Sequence, residues 1–460
     1  MDENFDVIVV GGGAGGVAAA IRSAQLGAKV AVVEESKLGG FCMNSGCVPF
    51  GHMMVASRIL GDLALAKEMG IVCSGVSKDA VTLLNRQKEL IAFMQQGVKT
   101  LFGKRKITLI AGRGKLSGPG RVEASGKTFS AKAVILAAGA RWLKPDFPGS
   151  DLPEVVDSGH LLSEKELPKQ CLVFGGGPWS VEIAQYLNRF GSQVWLVTQD
   201  DSVLNNESKA VRSRLAKALQ TQGIHTITGA KGLALKKKSS GVEASMTVKD
   251  KEQSLQVDLV IAIRRTASVN DLGLETVGLD VKAGFIQVNE RMETGVKGLY
   301  AIGDLTGPEE KHYSHASSTS GLVAAENAMG LNRVFDERAV ARVIFTNPQI
   351  ATVGLRGKEA KAMGYDAVTG SAPLSMNTFG MMTAQTDGLV EVVADKRYGE
   401  ILGVHIIGDG ACEMIGQAVL AIQQEMTLEE LAQTIFPHPT LSESIAEAAR
   451  DALGQAIYLP

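Results

Sequence analysis

Cys42 and Cys47 are separated by four residues in the run Leu38-Gly-Gly-Phe-Cys-Met-Asn-Ser-Gly-Cys-Val-Pro49, and near the far end of the chain His438 precedes Glu443 by five positions. Thiol–disulfide exchange runs through a thiolate, and a free cysteine with a pKa of ~8.5 is mostly protonated at neutral pH. An imidazole can take that proton, and a carboxylate bonded to the other ring nitrogen can hold the tautomer. Pro437 and Pro439 flank His438 and restrict its backbone. A dithiol and an oriented base are the parts of disulfide oxidation and reduction. Zinc is the obvious rival for the cysteines, but it needs two more ligands, and no second CxxC or HxxxH accompanies them. No metal site is expected. Cys73, Cys171 and Cys412 are isolated and read as small buried hydrophobes.

The elements that must position this chemistry are two nucleotide-binding units. Asp6-Val-Ile-Val-Val10 reads as a strand, Gly11 to Gly16 as a glycine-rich turn, Val17 to Leu26 as a helix and Lys29 to Val33 as the next strand. A lone GxGxxG is a weak signal. Between a strand and a helix, with Glu34 at the end of the second strand, it is a strong one. Gly11 permits the tight turn, Gly13 lets backbone approach a pyrophosphate, Gly16 allows close helix packing, and Glu34 can bond an adenosine ribose. The pattern recurs in strand Gln170 to Phe174, turn Gly175-Gly-Gly177, helix Val181 to Phe190 and strand Gln193 to Val197. Two such units imply two nucleotides, one held permanently and one exchanging. Ala133 to Gly139 and Gly298 to Asp304 read as further strands, the second ending on an acidic residue. From about Val340 alternating strands and helices suggest a separate α+β domain.

Composition bounds the class. The 460 residues allow two to four domains, with 45% hydrophobic and 21% charged residues and a net charge of −2. That charge excludes a nucleic-acid-binding field, and Lys236 to Lys238 reads as a solvated hairpin tip. No stretch approaches the ~20 apolar residues of a membrane span. Five cysteines, an odd count, are too few for a disulfide framework. The first residues run into a strand with no basic, apolar leader, so a cytoplasmic protein is expected.

The glycine turn, Glu34, the Cys42–Cys47 pair, Ala138-Gly139, Ala301-Ile-Gly-Asp304 and His438-Pro-Thr-Leu-Ser-Glu443 occur in an order that resembles the flavoprotein disulfide reductases. Asn347 to Gly354 and Asp395 to Gly408 are most similar to the dihydrolipoamide dehydrogenases among them. The resemblance runs from about residue 5 to residue 450. It implies an α/β fold with two Rossmann-like units, for FAD and NAD, and a C-terminal α+β dimerisation domain. The expected boundaries are 1–149 for FAD, 150–272 for NAD, 273–339 for a return to the first unit, and 340–460 for the interface. It further implies a homodimer with shared sites, a lipoyl-carrying protein as substrate, Cys47 as the thiol against the flavin and Cys42 as the thiol facing substrate. Gly114, Ala138, Gly139, Gly303, Asp304 and His315 would contact FAD, with Asp304 on the ribitol chain. Gly175, Gly177, Glu182 and Thr198 would serve NAD. A specialised paralogue serving a particular lipoyl carrier protein with weak nicotinamide use, a reductase of glutathione or another disulfide, and an electron relay with little nicotinamide turnover are the alternatives.

The chain departs from the family pattern mostly in one place. A lysine usual four residues after the second cysteine is Gly51, although its glutamate partner, Glu182, is retained. Pro178-Trp179 stand where a gating pair is usual. The acidic ribose ligand of the second unit is Thr198, followed by Gln199, Asp200 and Asp201. Arg264 replaces a glycine, Phe41 a threonine, and Ala138 a threonine. The dithiol and His–Glu parts are intact, so the nicotinamide side is expected to be the altered one.

Overall fold

The computed structural model describes residues 3–162 and 166–459. β1 (Glu3–Val10) is continuously apolar from Val7 to Val10 because both of its faces are covered. A turn leads into α1 (Ala14–Gln25), and β2 (Val30–Glu34) returns parallel to β1, with Val7 opposite Val30 and Val10 opposite Val33. Two glycines make that return possible. Gly11 takes φ +109°, and a Cβ on Gly16 would fall inside the contact radius of the Gly11 carbonyl.

After β2 come α2 (Gly40–Asn44), α3 (Cys47–Ala66) and α4 (Ala80–Lys104), followed by β3 (Thr108–Ala111), β4 (Lys115–Gly118), β5 (Arg121–Ala124) and β6 (Lys127–Leu136). The sheet order is β3-β2-β1-β6-β5-β4, and the distant strand Leu299–Ala301 adds parallel to β6. That late return carries Gly303 and Asp304 to the end of β6. It also brings the helix Ser314–Ala328 against α1.

A second parallel sheet runs His225–Ile227, Gln193–Val197, Gln170–Phe174, Leu259–Ala262 and Val155–Val156, with the helix Pro178–Phe190 packed on it. The two units are joined by a two-stranded ribbon in which β7 (Ala140–Trp142) pairs antiparallel with Arg265–Ala267. Its register sets Trp142 opposite Arg265. The hairpin between Lys231–Lys237 and Val242–Val248 holds Lys236 to Lys238 at the surface, as expected, with Lys237 on Glu154 and Lys238 on Glu243. A third, five-stranded antiparallel sheet spans Arg342–Ile344 to Ile401–Ile407, and the helices Ala411–Gln423 and Glu443–Ala452 cover it. Among the described residues no helix is long and apolar enough to cross a membrane.

Replacing Gly16 by alanine should shift the α1 turn against Gly11 and cost about 1–3 kcal/mol, as overpacking does. The check is loss of bound flavin together with a lowered melting temperature. A Gly16→Ala protein with full flavin content and an unchanged melt would contradict the tight turn.

Candidate active site

Cys42 sits inside α2, and Cys47 is the first residue of α3, following Gly46. A helix N-terminus carries unpaired N–H groups and positive potential, both of which favour a thiolate. A second helix begins at the same point. Ser314, the first residue of Ser314–Ala328, places its hydroxyl 3.3 Å from the Cys47 sulfur. Both thiols are free and line the same cleft. The hydrogen bond from Cys47 draws Cys42 down to about 7, against the opposing effect of burial. The same bond, with burial added, drives Cys47 up.

The other cysteines divide. Cys171 is fully buried and its thiol is pushed up to about 12 by burial, while Cys412 is half-buried and also raised to about 12. Cys73 corrects the expectation of a buried residue. It is exposed, because the segment between α3 and α4 forms no helix or strand that could cover it.

His438 Nδ1 lies 2.9 and 3.1 Å from the two carboxylate oxygens of Glu443. Glu443 starts the helix Glu443–Ala452, where the dipole favours a carboxylate, and it also accepts the Thr440 N–H at 3.0 Å. This anchoring leaves Nε2 facing outward on a side chain that is 65% exposed. His438 and Glu443 line a cavity with Met376, Ile435, Phe436 and Tyr458, whereas both cysteines line the cleft of the first nucleotide unit. Within one chain the base and the dithiol belong to different cavities.

The cleft of the first unit fits a dinucleotide with a flavin. Gly11, Gly13, Gly16, Glu34, Gly114, Ala138, Gly139, Gly303 and Asp304 all line it. Gly13 caps α1 with no side chain over the helix end, so the first-turn N–H groups are open to a phosphate. Glu34 is fixed by the N–H groups of Gly12 (2.6 Å) and Ser36 (2.8 Å) and keeps lone pairs for ribose hydroxyls. His315 is placed otherwise. Its Nε2 bonds the Ala341 carbonyl at 2.7 Å and its ring stacks on Tyr313, while His312, Ser314 and Ser317 line the cleft.

The departures converge in space. Phe41 packs edge-on against Trp142 and Trp179, at 5.1 and 5.8 Å between ring centres, and Phe50 meets Trp179 at 5.2 Å. Arg265 lies over the Phe41 ring and is paired with Asp304. These contacts make an aromatic wall between the dithiol and the second unit. Sequence reasoning flagged Phe41 and Trp179 singly but missed Phe50, Trp142, Arg265 and Ser314, whose roles exist only once the chain is folded. At Gly51 a Cβ would meet nothing within 4 Å, so the missing lysine leaves open space. Glu182 is buried without a cation, accepts the Phe345 N–H at 2.8 Å, and is pushed up to about 8 by burial. Burial thus favours its neutral form.

The second unit keeps the backbone that NAD requires, with Gly175 at φ +129° and Gly177 capping the helix Pro178–Phe190. Pro178 in the first turn removes one N–H that would otherwise face a phosphate. Thr198 is buried and accepts the Asp200 N–H at 3.2 Å, occupying the place that Glu34 holds in the first unit. It offers a ribose no negative charge.

A family model described as pyridine nucleotide-disulphide oxidoreductase matches residues 5–329, and its dimerisation domain matches 340–449. A dihydrolipoyl dehydrogenase of Thermus scotoductus is 36% identical over 463 residues, covering 99% of each chain. One from Bacillus subtilis is 34% identical over the whole of both. Among solved structures, LpdA of Mycobacterium tuberculosis is similar with a TM-score of 0.87 at 27% identity, covering 97% of this chain and 99% of that one. The flavoprotein disulfide reductase RclA of Escherichia coli shares the fold, with a TM-score of 0.85 at 22% identity over 98% of this chain and 99% of that one.

Two tests follow from this geometry. In the reduced protein the Cys42 thiolate should titrate near pH 7, as followed by ultraviolet thiolate absorbance. Cys47→Ala removes that hydrogen-bond donor, so the midpoint should rise toward that of an ordinary cysteine; an unmoved midpoint would contradict the effect of Cys47 on Cys42. Thr198→Glu should reproduce the Glu34 arrangement and tighten NAD by roughly tenfold, the value of one charge-assisted hydrogen bond. Calorimetry would contradict this if the variant bound NAD no better than the parent.

Proposed function

The chain belongs to the pyridine nucleotide-disulphide oxidoreductase family, and from that premise we propose that it oxidises a protein-bound dihydrolipoyl group, with FAD as resident cofactor and NAD as electron acceptor. The observation that carries the reading is the dithiol at two helix N-termini, set in a flavin-shaped cleft, with the His438–Glu443 pair in a separate cavity. The names of the full-length relatives favour a lipoyl substrate over glutathione or a relay role.

The working cycle begins with the Cys42–Cys47 disulfide. One dihydrolipoyl sulfur attacks Cys42, the S–S bond breaks, and Cys47 leaves as the thiolate. The second dihydrolipoyl sulfur then attacks the first, closing the lipoyl ring and releasing Cys42. The substrate loses two electrons and two protons, and the protein disulfide gains the electrons. His438 accepts a proton at Nε2 while Glu443 holds Nδ1–H and stabilises the imidazolium. FAD, when bound, supplies the route by which the electron pair passes from the dithiol to NAD.

The base comes from the partner subunit in this reading. Support comes from the separate cavities, the exposed Nε2 and the dimerisation domain. Large apolar side chains stand in solvent on both contributing regions, with Phe93 79% and Ile435 96% exposed. A lipoyl-carrying protein is the substrate partner, and a reducing cytoplasmic setting suits a dithiol that works by exchange.

His438→Ala should lower dihydrolipoamide turnover by roughly 10² to 10⁴, the range of a positioned acid–base group. Mixing inactive His438→Ala and Cys42→Ser subunits should restore part of the activity through hybrid sites. No recovery in verified heterodimers would sink the shared-site reading.

A further inference from the structure

We propose that a third cavity, where the two nucleotide units meet the C-terminal sheet, binds a small polyanion: a metabolite carrying two or more carboxylate or phosphate groups. The inference is independent of what the first cleft holds and goes beyond the dithiol chemistry.

The cavity has a volume of about 370 Å³, inside the range of roughly 300–1,000 Å³ usual for small-molecule sites. α3 forms one wall, the helices Pro178–Phe190 and Lys209–Thr221 form a second, and residues 345–349 and 384–388 close it. Neither glycine turn, at residues 11–16 or 175–177, contributes to its lining. It is therefore separate from both dinucleotide sites.

Three elements each bring it a cation. Arg58 comes from α3, Arg189 from the last turn of Pro178–Phe190, and Arg214 from Lys209–Thr221. Among the described residues none of these guanidiniums has a hydrogen bond or an ion pair. Burial holds Arg189 below the ordinary guanidinium value, and the nearby Asp62 offsets that only in part. A cation drawn out of water without a partner is costly, and a bound anion removes the cost.

Gly61 gathers two donors at one spot. A Cβ there would stand 3.4 Å from an Arg189 terminal nitrogen and 3.2 Å from the Asn347 amide nitrogen, so glycine keeps α3 clear of both. The Asn347 carbonyl accepts from Gln185 at 2.8 Å and from Gln222 at 2.7 Å, which fixes the residue and leaves its side-chain amide to the cavity. At Gly51 the wall opens further, and Met54, Phe345 and Pro348 offer apolar surface to a carbon skeleton.

The carboxylates present do not cancel this charge. Asp387 is taken by Lys217 at 3.0 Å, and neither Asp62 nor Asp409 pairs with an arginine. A guanidinium presents its N–H groups in a planar fork that matches two oxygens of a carboxylate or phosphate. Three forks and an amide suit a ligand with more than one such group. Its binding would tie α3, which starts at Cys47, to the second unit and the C-terminal sheet.

The test is calorimetric titration of the purified protein at fixed ionic strength, with citrate and separately with inorganic pyrophosphate. One site per chain with a dissociation constant of roughly 1 mM or below is expected for at least one probe. The tighter probe identifies carboxylate or phosphate as the preferred group. Arg189→Gln and Arg214→Gln should each weaken that probe by roughly tenfold or more, the loss of one charge-assisted hydrogen bond. Arg58 is exposed, so Arg58→Gln supplies the same test should Arg189→Gln melt early. Pyrophosphate seated at a nucleotide turn instead would bind parent and variants alike, and that result overturns the proposal. Absence of saturable binding of both probes up to about 10 mM overturns it as well.

Discussion

The placement of two thiols in one cleft, beside the starts of α3 and of the helix Ser314–Ala328, is the constraint on which the rest of the architecture depends. A dithiol can exchange with substrate only if one sulfur is ionised near neutral pH, and two buried thiolates side by side would repel. Here α2 brings Cys42 to the cleft, α3 starts at Cys47, and the helix Ser314–Ala328 delivers the Ser314 hydroxyl from more than 260 positions away. Each of the three depends on the first sheet. β1 and β2 fix the glycine turn over which Gly40 packs, and the strand Leu299–Ala301 returns the late segment to β6.

On the far side of the dithiol, charge has been exchanged for aromatic packing. Gly51 leaves Glu182 buried without a cation, and burial favours its protonated form. Phe50 packs on Trp179, and Phe41 and Trp142 extend the aromatic wall to Arg265. Positive charge is therefore present at Arg265, against Asp304, and absent at Gly51. The cysteine pair and the His438–Glu443 pair are both present, while in the second unit Pro178 removes a backbone N–H from the helix start and Thr198 stands where Glu34 stands in the first unit.

The parts carried by local pattern were readable from the chain. The glycine turns, Glu34, the cysteine pair and the His438–Glu443 spacing each depend on residues near one another in sequence. The hidden parts depend on long-range register. Nothing in the composition of Arg265-Thr-Ala267 marks an arginine that will pair with Asp304, and the contact with Phe41 needs both units folded. Ser314 is unremarkable until a second helix N-terminus meets Cys47. Cys73 was misjudged because isolation in sequence says nothing about whether a helix covers the residue, and here none does. The ring of His315 turns to the Ala341 carbonyl because, as the second residue of the helix Ser314–Ala328, its direction is set by that helix.

The account claims that electrons enter readily from a dithiol and leave slowly to nicotinamide. The most direct measurement is rapid anaerobic mixing of the oxidised flavoprotein with dihydrolipoamide, and separately with NADH, following flavin absorbance. The account predicts fast bleaching by dihydrolipoamide and slower, weakly saturating reduction by NADH. Reduction by NADH that is as fast and as tight as by dihydrolipoamide, or no reduction by dihydrolipoamide at all, would contradict it.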